Sequence, residues 1–319
     1  ADGQPVRPVD VDEFQIANAE TYDVIVQPAE DRAFTIAAEA VDRSGMARAT
    51  LAPRAGMVAP VPKLRPRPVA RMKDMGMDMA GMSHGEAEPT PDTADHAEHA
   101  DHSAHEPASA AAPAPGIAAP PARGTDLMHD MPGMSMSMLD PQNAPQVKTG
   151  PGVQMISPMP RDRTGEPGQG LESVGHRVLV YRDLVALLPN PDQRPPERTL
   201  EIHLTGNMER FMWGFEGKMF SETTAPYLFR TGERVRVTLV NDTMMSHPIH
   251  LHGHFFELAH GPDGHHPRKH TVNVLPGGKV SWDFTAEAGD WAFHCHMFMH
   301  MAVGMFQVFA VRPLPEKRP

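Results

Sequence analysis

The chain has 319 residues, among them 34 prolines, 23 methionines and 19 histidines, and its formal net charge is −11. This acidic balance offers no basic surface for nucleic acid, so we expect no nucleic-acid partner. The sequence contains no run of about 18 apolar residues, which argues against a membrane-spanning helix. Its single cysteine excludes an internal disulfide.

Residues 1–52 contain two short β-prone runs, TYDVIVQP (21–28) and AFTIAAEAVD (33–42), separated by a polar turn. Two strands are too few to close a sheet sandwich. We therefore interpret residues 1–52 as the C-terminal part of a β domain that begins outside this chain. The sequence starts without Met and shows no signal peptide, so we expect a removed leader or a start inside a larger protein.

Residues 53–175 are rich in proline, methionine and histidine. They include MKDMGMDMAGM, the acidic run DHAEHADHSAH and MPGMSMSM, with ten methionines and six histidines between Met72 and Met138. No helix or strand periodicity runs through this stretch, so we predict a disordered linker or insertion.

Residues 176–319 are predicted to form a complete β domain. Short β-prone runs such as RTLEIHLTG, ERVRVTLVND and KVSWDFTA alternate with the turn signals TGE, PGG and EAGD. Many short strands at this spacing are typical of an all-β sandwich or barrel.

Two histidine-rich strands of this domain carry the chemistry. They read HPIHLHGH (247–254) and HCHMFMH (294–300). Side chains alternate between the faces of a strand, so His250 and His252 share one face and His247 takes the other. By the same rule His294 and His296 share a face and Cys295 points the opposite way. The alternation predicts two ligand sets: His247, Cys295 and His300 in the first, and His250, His252, His294 and His296 in the second.

The first set has the composition of a blue-copper electron-transfer site, in which one thiolate, two imidazoles and a weak axial methionine bind the metal. Met305, just beyond His300, is placed to be the axial ligand. The second set, all imidazole, suits copper or zinc. The peptide from His294 to His296 would connect the two centres through bonds.

Less specific interpretations exist for each motif alone. A buried cysteine is usually an apolar filler, and one HxH pair is often surface chemistry. A filler has no reason to be surrounded by histidines, so the two motifs together favour a metal. Structural zinc prefers paired cysteines, and this chain has one. Five further histidines fall outside both ligand sets, since four lie in a polar loop that we expect to be solvated and one follows a glycine: His254, His260, His265, His266 and His270.

The stretches around these residues resemble the multicopper oxidases, most closely the bacterial copper-resistance oxidases of the CopA type. The resemblance is carried by ERTLEIHLTGNMERFMWGFEGKMF, GERVRVTLVNDTMMSHPIHLHGH, KHTVNV and WAFHCHMFMHMAVGM, and by ETYDVIVQP near the start. It implies a cupredoxin-like Greek-key β-sandwich for residues 176–319, part of a second cupredoxin domain for residues 1–52, and a periplasmic location.

The resemblance also implies the role of each ligand and the activity. By position, the type 1 copper ligands are His247, Cys295, His300 and Met305, the type 2 ligand is His250, and the type 3 ligands are His252, His294 and His296. Such an oxidase passes electrons from Cu(I) or a phenol through the type 1 copper to a trinuclear cluster that reduces O2 to water. A cuprous oxidase in copper resistance is the expected function.

Two departures from the family pattern qualify this expectation. The trinuclear cluster needs eight histidines, and the only HxH triplets here are 250–252, 252–254 and 294–296. We expect the other four histidines to come from a missing N-terminal domain or a complementary chain. The stretch MAVG before Met305 also lacks the acidic residue that relatives often carry there, so the proton donor is unassigned.

Two alternatives stay open. The chain could be a non-enzymatic copper-binding or electron-transfer cupredoxin with a methionine-rich, copper-sequestering arm. Thioethers select Cu(I), so the methionines of 72–138 are a hypothetical Cu(I)-gathering segment, against a plain low-complexity linker. Met208, Met212 and Met219 are predicted to pack in the core, with Cu(I) docking as the alternative.

Overall fold

A computed structural model of the chain describes residues 1–77 and 137–313. The secondary structure is almost entirely β. In chain order the strands are β1 (Glu13–Phe14), β2 (Phe34–Glu39), β3 (Met46–Leu51), β4 (Arg161–Asp162), β5 (Val178–Leu179), β6 (Arg198–Asn207), β7 (Met212–Phe215), β8 (Tyr227–Arg230), β9 (Arg234–Asn241), β10 (His247–Leu251), β11 (Phe256–Leu258), β12 (Arg268–Lys269), β13 (Thr271–Val274), β14 (Gly278–Thr285), β15 (Gly289–Cys295) and β16 (Phe306–Arg312).

The helices of the described residues are short. One α-helix, α1 (Phe298–Val303), lies between β15 and β16, and the 3-10 helices are Met72–Met75, Pro141–Asn143, Tyr181–Asp183 and Phe220–Glu222. Within the described ranges, none has the length and apolar character needed to cross a bilayer.

Two sheets form the β domain. One has five strands in the order β13-β10-β15-β16-β8, and the other has the order β12-β11-β14-β9-β6-β7 with β4 paired to β14. Apolar side chains from both sheets form a single buried cluster that includes Leu239, Trp282, Ile249, Phe293 and Phe309. Burial of one face of each sheet against the other makes this a sandwich, so the predicted all-β sandwich is confirmed.

The alternation along β9 shows why these residues form a half-buried strand. Val235, Val237 and Leu239 point into the core and are fully buried, while Arg236 and Thr238 between them are partly exposed. Arg236 pairs across the strands with Asp283 of β14, with Nε to Oδ1 at 2.7 Å. The partly exposed face of β9 therefore carries polar side chains, and its arginine has a charged partner on the neighbouring strand.

The N-terminal residues differ in part from the sequence prediction. Residues 33–42 contain β2, which pairs with β3 in a separate two-stranded sheet. The run at 21–28 does not form a strand, and Val24, Ile25 and Val26 are exposed at 58%, 89% and 61%. A strand needs a neighbour for its backbone hydrogen bonds, and among the described residues no strand pairs with this run.

A buried lysine fixes the first residues of the chain to the sandwich. Lys269 of β12 is completely buried, and its Nζ lies 3.1 Å from Asp2 Oδ2 and 3.2 Å from Glu20 Oε1. Asp2 also accepts a hydrogen bond from the backbone N–H of His270 at 3.1 Å. A buried charge requires partners of this kind, so residues 2 and 20 are held beside β12 and β13.

The flanks of the predicted linker contact the β domain. The carboxylate of Asp74 pairs with Arg163 at 2.8 Å, and both side chains are 1% exposed. The N–H of Ser157 donates to Asp242 Oδ1 at 2.8 Å, and Ile156 is fully buried in a small apolar cluster. The structure differs here from the expected disorder, because these residues find buried partners. Residues 78–136, with six of the linker's 13 methionines and all six of its histidines, lie outside the described residues.

Candidate metal centre

The first ligand set lies where β10 begins and β15 ends. Ile249 of β10 pairs with Cys295 of β15, which brings His247 and Cys295 to the same buried side of the five-stranded sheet. The chain turns after Cys295 into α1, and that helix carries His300 back toward the same point. The structure therefore brings together the three residues that the sequence grouped.

The donor atoms of this set face one another. Cys295 Sγ lies 3.7 Å from His247 Nδ1 and 3.9 Å from His300 Nδ1, and the two Nδ1 atoms are 3.2 Å apart. Within residues 1–77 and 137–313, this is the only group of three or more His, Cys, Asp or Glu residues whose ligand atoms all lie within 4.8 Å of one another.

These distances fit a metal held in trigonal fashion. Metal–nitrogen bonds of about 2.0 Å and a metal–sulfur bond of about 2.3 Å give triangle edges of roughly 3.5 Å between nitrogens and 3.7 Å from nitrogen to sulfur. The observed edges are close to these values. The donor set, two imidazoles and one thiol, is the one that copper electron-transfer proteins use.

Burial keeps all three donors uncharged when no metal is bound. Burial raises the pKa of the Cys295 thiol to about 12. It lowers the pKa of His300 to about 4, and it holds the pKa of His247 well below its ordinary value. The imidazoles are thus ready to act as ligands, whereas the thiol must release its proton to a binding metal.

Met305 is held beside the set by its backbone. Its N–H donates to the His300 carbonyl at 2.9 Å, and its carbonyl accepts from Cys295 N–H at 3.1 Å. The side chain is fully buried in the same core cluster as Cys295. Gly304 makes the close turn possible, because a Cβ there would meet Trp213 O at 2.9 Å and Met219 Cβ at 2.6 Å.

An aromatic wall covers the imidazoles. Trp213 of β7 is 1% exposed, stacks on His300 and meets His247 edge-on with ring centroids 5.4 Å apart. Phe211 also meets the edge of His300, at 6.3 Å, and is 45% exposed. Sequence reasoning did not assign Trp213 to the site. The segment FMWGF, which contains Trp213 and carries part of the family resemblance, is the sequence feature that could have pointed to it.

The second ligand set lies on the opposite face of the same two strands. His250 pairs directly with His294 across β10 and β15, and His252 Nε2 is 3.0 Å from His294 Nε2. The His250 ring lies 5.7 Å from the His296 ring, centroid to centroid. The predicted alternation therefore holds. Unlike the first set, these four histidines do not bring three donor atoms within 4.8 Å.

Exposure distinguishes the two sets. His252 and His296 are exposed, His250 is half-buried and His294 is 5% exposed. His250 Nδ1 donates to the backbone carbonyl of His270 at 2.7 Å, which leaves its Nε2 as the nitrogen free to bind a metal. Burial lowers the pKa of His250 to about 4, so this ring is neutral at pH 7.

The histidines that the sequence left unassigned have structural partners. The His270 ring lies 5.1 Å from the His250 ring, a contact that the sequence did not predict. His254 Nε2 accepts from Glu287 N–H at 3.1 Å. The loop histidines His260 and His266 were expected to be solvated, but each is half-buried and donates to a backbone carbonyl at 2.7 Å.

Family models and known proteins match most of this chain. Residues 193–315 match a family model described as multicopper oxidase, and residues 1–55 match a second model with the same description. Copper resistance protein A of Escherichia coli is 44% identical over 313 residues, which cover 96% of this chain and 50% of that protein. Copper resistance protein A of Pseudomonas syringae pv. tomato is 43% identical over 312 residues, covering 96% and 51%.

The chain spans about half the length of these curated relatives. Among solved structures, the McoA multicopper oxidase of Aquifex aeolicus matches with a TM-score of 0.35 and 22% identity, over 44% of this chain and 33% of that one.

Proposed function

This chain belongs to the multicopper oxidase family, and from that premise we propose that its β-sandwich binds a type 1 copper through His247, Cys295, His300 and Met305. The observation that carries the proposal is the convergence of Sγ and two Nδ1 atoms within 3.9 Å of one another in the core. When bound to one thiolate and two imidazoles, copper supplies one-electron transfer.

The residues around the donors give the site its rigidity and keep water out. Cys295, His247 and Met305 have no exposed surface, and Trp213 covers the imidazoles. A dry site whose ligands are held by packing changes little between redox states, which suits electron transfer. His300 is the ligand nearest the surface, since exposed Phe211 contacts its edge.

His250, His252, His294 and His296 are proposed as half of a trinuclear copper site. Their neighbour in the chain supports this proposal. Cys295 lies between His294 and His296, so its peptide bonds connect the type 1 ligand on one face of the sheet to the two histidines on the other face. The exposed rings of His252 and His296 are available to a further set of histidines. We propose that residues outside this chain supply that set in the whole protein.

The activity proposed for the whole protein is oxidation of a reducing substrate with O2 as acceptor. The names of the two copper-resistance relatives support a role in copper resistance. Cu(I) is the proposed substrate, with phenols as the other substrate class. A periplasmic location and Cu(I) gathering by the methionines of 72–138 are further proposals that rest on the sequence.

Copper analysis of the purified chain tests the type 1 site. We expect an intense blue thiolate-to-copper absorption band and about one tightly bound copper per chain. Cys295→Ser should abolish the band, whereas His296→Ala, on the opposite face, should keep it. A colourless wild-type chain after copper loading would refute the proposed site.

A second candidate function, a non-enzymatic electron carrier, is favoured by the incomplete second set. Oxygen uptake separates the two functions. If the proposal is right, the chain alone is blue but does not consume O2, and a longer protein that restores the remaining histidines does. A longer protein that carries all eight histidines and copper yet does not consume O2 would favour the carrier.

A further inference from the structure

The ring of His247 has a partner on the side away from Cys295. Thr243 Oγ1 lies 2.7 Å from His247 Nε2, within the turn that connects β9 to β10. Both residues are buried, with Thr243 3% exposed and His247 0%. Water therefore does not compete for this hydrogen bond, and its direction decides which ring nitrogen of His247 carries the proton.

The orientation of a neighbouring amide is settled by its donors and acceptors. Asn241 is fully buried, and its Oδ1 accepts from the backbone N–H of Thr243 at 2.9 Å. Its Nδ2 donates to the carbonyl oxygens of Met245 at 2.7 Å and Val274 at 2.9 Å. Exchanging oxygen and nitrogen would set donor against donor and acceptor against acceptor, so the oxygen of Asn241 faces Thr243.

The hydroxyl proton of Thr243 then has two oxygen atoms as possible acceptors. Oγ1 lies 2.9 Å from Asn241 Oδ1 and 3.1 Å from the Met245 carbonyl, and both of these oxygens can only accept. The backbone N–H of Met245 also donates to Oγ1, at 3.3 Å. If the hydroxyl donated to His247 Nε2, its lone pairs would face both oxygens. If it donates to one of these oxygens, its two lone pairs accept from Met245 N–H and from His247. In this second arrangement, which avoids facing lone pairs, the Nε2 atom of His247 carries hydrogen.

The consequence falls on the other ring nitrogen. With hydrogen on Nε2, the neutral ring has a bare lone pair on Nδ1, the atom 3.7 Å from Cys295 Sγ. We propose that Thr243 is a positioning residue that fixes His247 in the Nε2–H tautomer and so presents Nδ1 to the metal. This inference deepens the proposed copper site and rests on it for the metal's identity.

Nuclear magnetic resonance on the metal-free wild-type chain tests the tautomer without any variant. Long-range correlations between ring protons and ring nitrogens in a 15N-labelled sample distinguish the two neutral tautomers of His247. We expect the protonated nitrogen to be Nε2. Protonation at Nδ1 would overturn the inference, whether or not the chain binds copper.

A pair of substitutions tests the effect on the metal. Thr243→Val keeps the shape but leaves Nε2–H without an acceptor, and loss of such an outer partner typically weakens metal binding about 10–100-fold. Thr243→Ser retains the hydroxyl and should stay within about 3-fold of wild type. Affinity is measured from the blue band as glycine, a competing Cu²⁺ ligand, is added, because the band reports only copper bound to Cys295.

The outcomes separate this inference from the proposed function. If the wild type forms no blue band, the copper site fails and the tautomer is still decided by magnetic resonance. If the wild type is blue and the valine variant, shown by circular dichroism to be folded, binds copper as tightly, Thr243 has no positioning role. Equal weakening by valine and serine would also contradict the role of the hydroxyl.

Discussion

Trp213 stacks on His300, with ring centroids 4.0 Å apart and ring planes inclined by 18°. The indole comes from β7 of one sheet and the imidazole from α1, which follows the other sheet. A side chain of the opposite sheet therefore fixes the orientation of a proposed copper ligand, which ties the metal centre to the packing of the whole sandwich.

Replacing this indole should damage both stability and the copper site. Trp213→Ala should lower the free energy of unfolding by about 3–5 kcal/mol, because it leaves a large cavity. Trp213→Phe should cost less, since the indole Nε1 has no hydrogen-bond partner in the described part of the chain to lose. Urea unfolding measures the loss, and the blue band should weaken or shift in the alanine variant.

The matched control is a tryptophan elsewhere in the domain. Trp291 of β15 is partly buried and donates its indole N–H to the Glu287 carbonyl at 2.8 Å. Trp291→Ala should leave the blue band unchanged. A band altered equally by both alanine variants would mean that the stacking on His300 has no specific role.

Copper should stabilise the chain against heat through the first ligand set. A ligand that binds only the folded state at a hundred times its dissociation constant adds about 2.7 kcal/mol. The melting temperature should rise on copper loading and fall when a chelator removes the metal. Cys295→Ser should lose this increment and His296→Ala should keep it. An unchanged increment in the serine variant would show that copper binds elsewhere.

Glu216 should make stability depend on pH. Burial raises the pKa of Glu216 from 4.5 to about 7, and its buried Oε2 has no hydrogen-bond partner within residues 1–77 and 137–313. Between these pH values the unfolded chain loses the proton and the folded chain keeps it, so the stability contributed by the neutral carboxyl is present below pH 4.5 and lost as pH rises through 7.

Glu216→Gln removes the ionisable group and with it the pH dependence of stability. The amide keeps an oxygen that can accept the hydrogen bond from His203 N–H, which lies 2.9 Å from Glu216 Oε1 in the wild type. Relative to wild type, the variant should gain about 1–3 kcal/mol in free energy of unfolding between pH 5 and pH 8, since one pKa unit is worth about 1.4 kcal/mol. Urea unfolding at the two pH values measures the gain, with Glu209→Gln as the exposed control. The same difference at both pH values would contradict this account.

The buried pair of Asp74 and Arg163 should anchor the N-terminal flank of the predicted linker. Asp74→Ala should cost about 3 kcal/mol, because it removes the buried partner of a buried guanidinium and leaves only the partly exposed carboxylate of Glu166, whose Oε2 lies 3.0 Å from Arg163 Nε. Asp31→Ala is the matched control, since Asp31 pairs with Arg54 at 2.9 Å with both side chains more than 60% exposed. An exposed pair contributes about 0–1 kcal/mol.

Urea unfolding measures both losses, and limited proteolysis should cut near residues 71–77 faster in the Asp74 variant. Equal stability of the two variants would mean that the flank is not held by this pair.

The two ligand faces could be predicted from the sequence because alternation along a strand is a local property. Once residues 247–251 and 289–295 are strands, His250 and His294 must face away from Cys295, whatever surrounds them. The turn signals and the period-2 pattern likewise fixed the all-β class. Both depend only on neighbours in the chain.

The tertiary structure decided what depends on distant neighbours. It placed Trp213 on His300 and Lys269 between Asp2 and Glu20, contacts between residues far apart in the chain. It also left 21–28 without a partner strand among the residues it describes, since a β-prone run becomes a strand only where another strand accepts its hydrogen bonds. Local pattern therefore determined which side chains could be ligands, and packing across the sandwich determined which of them converge in a buried site.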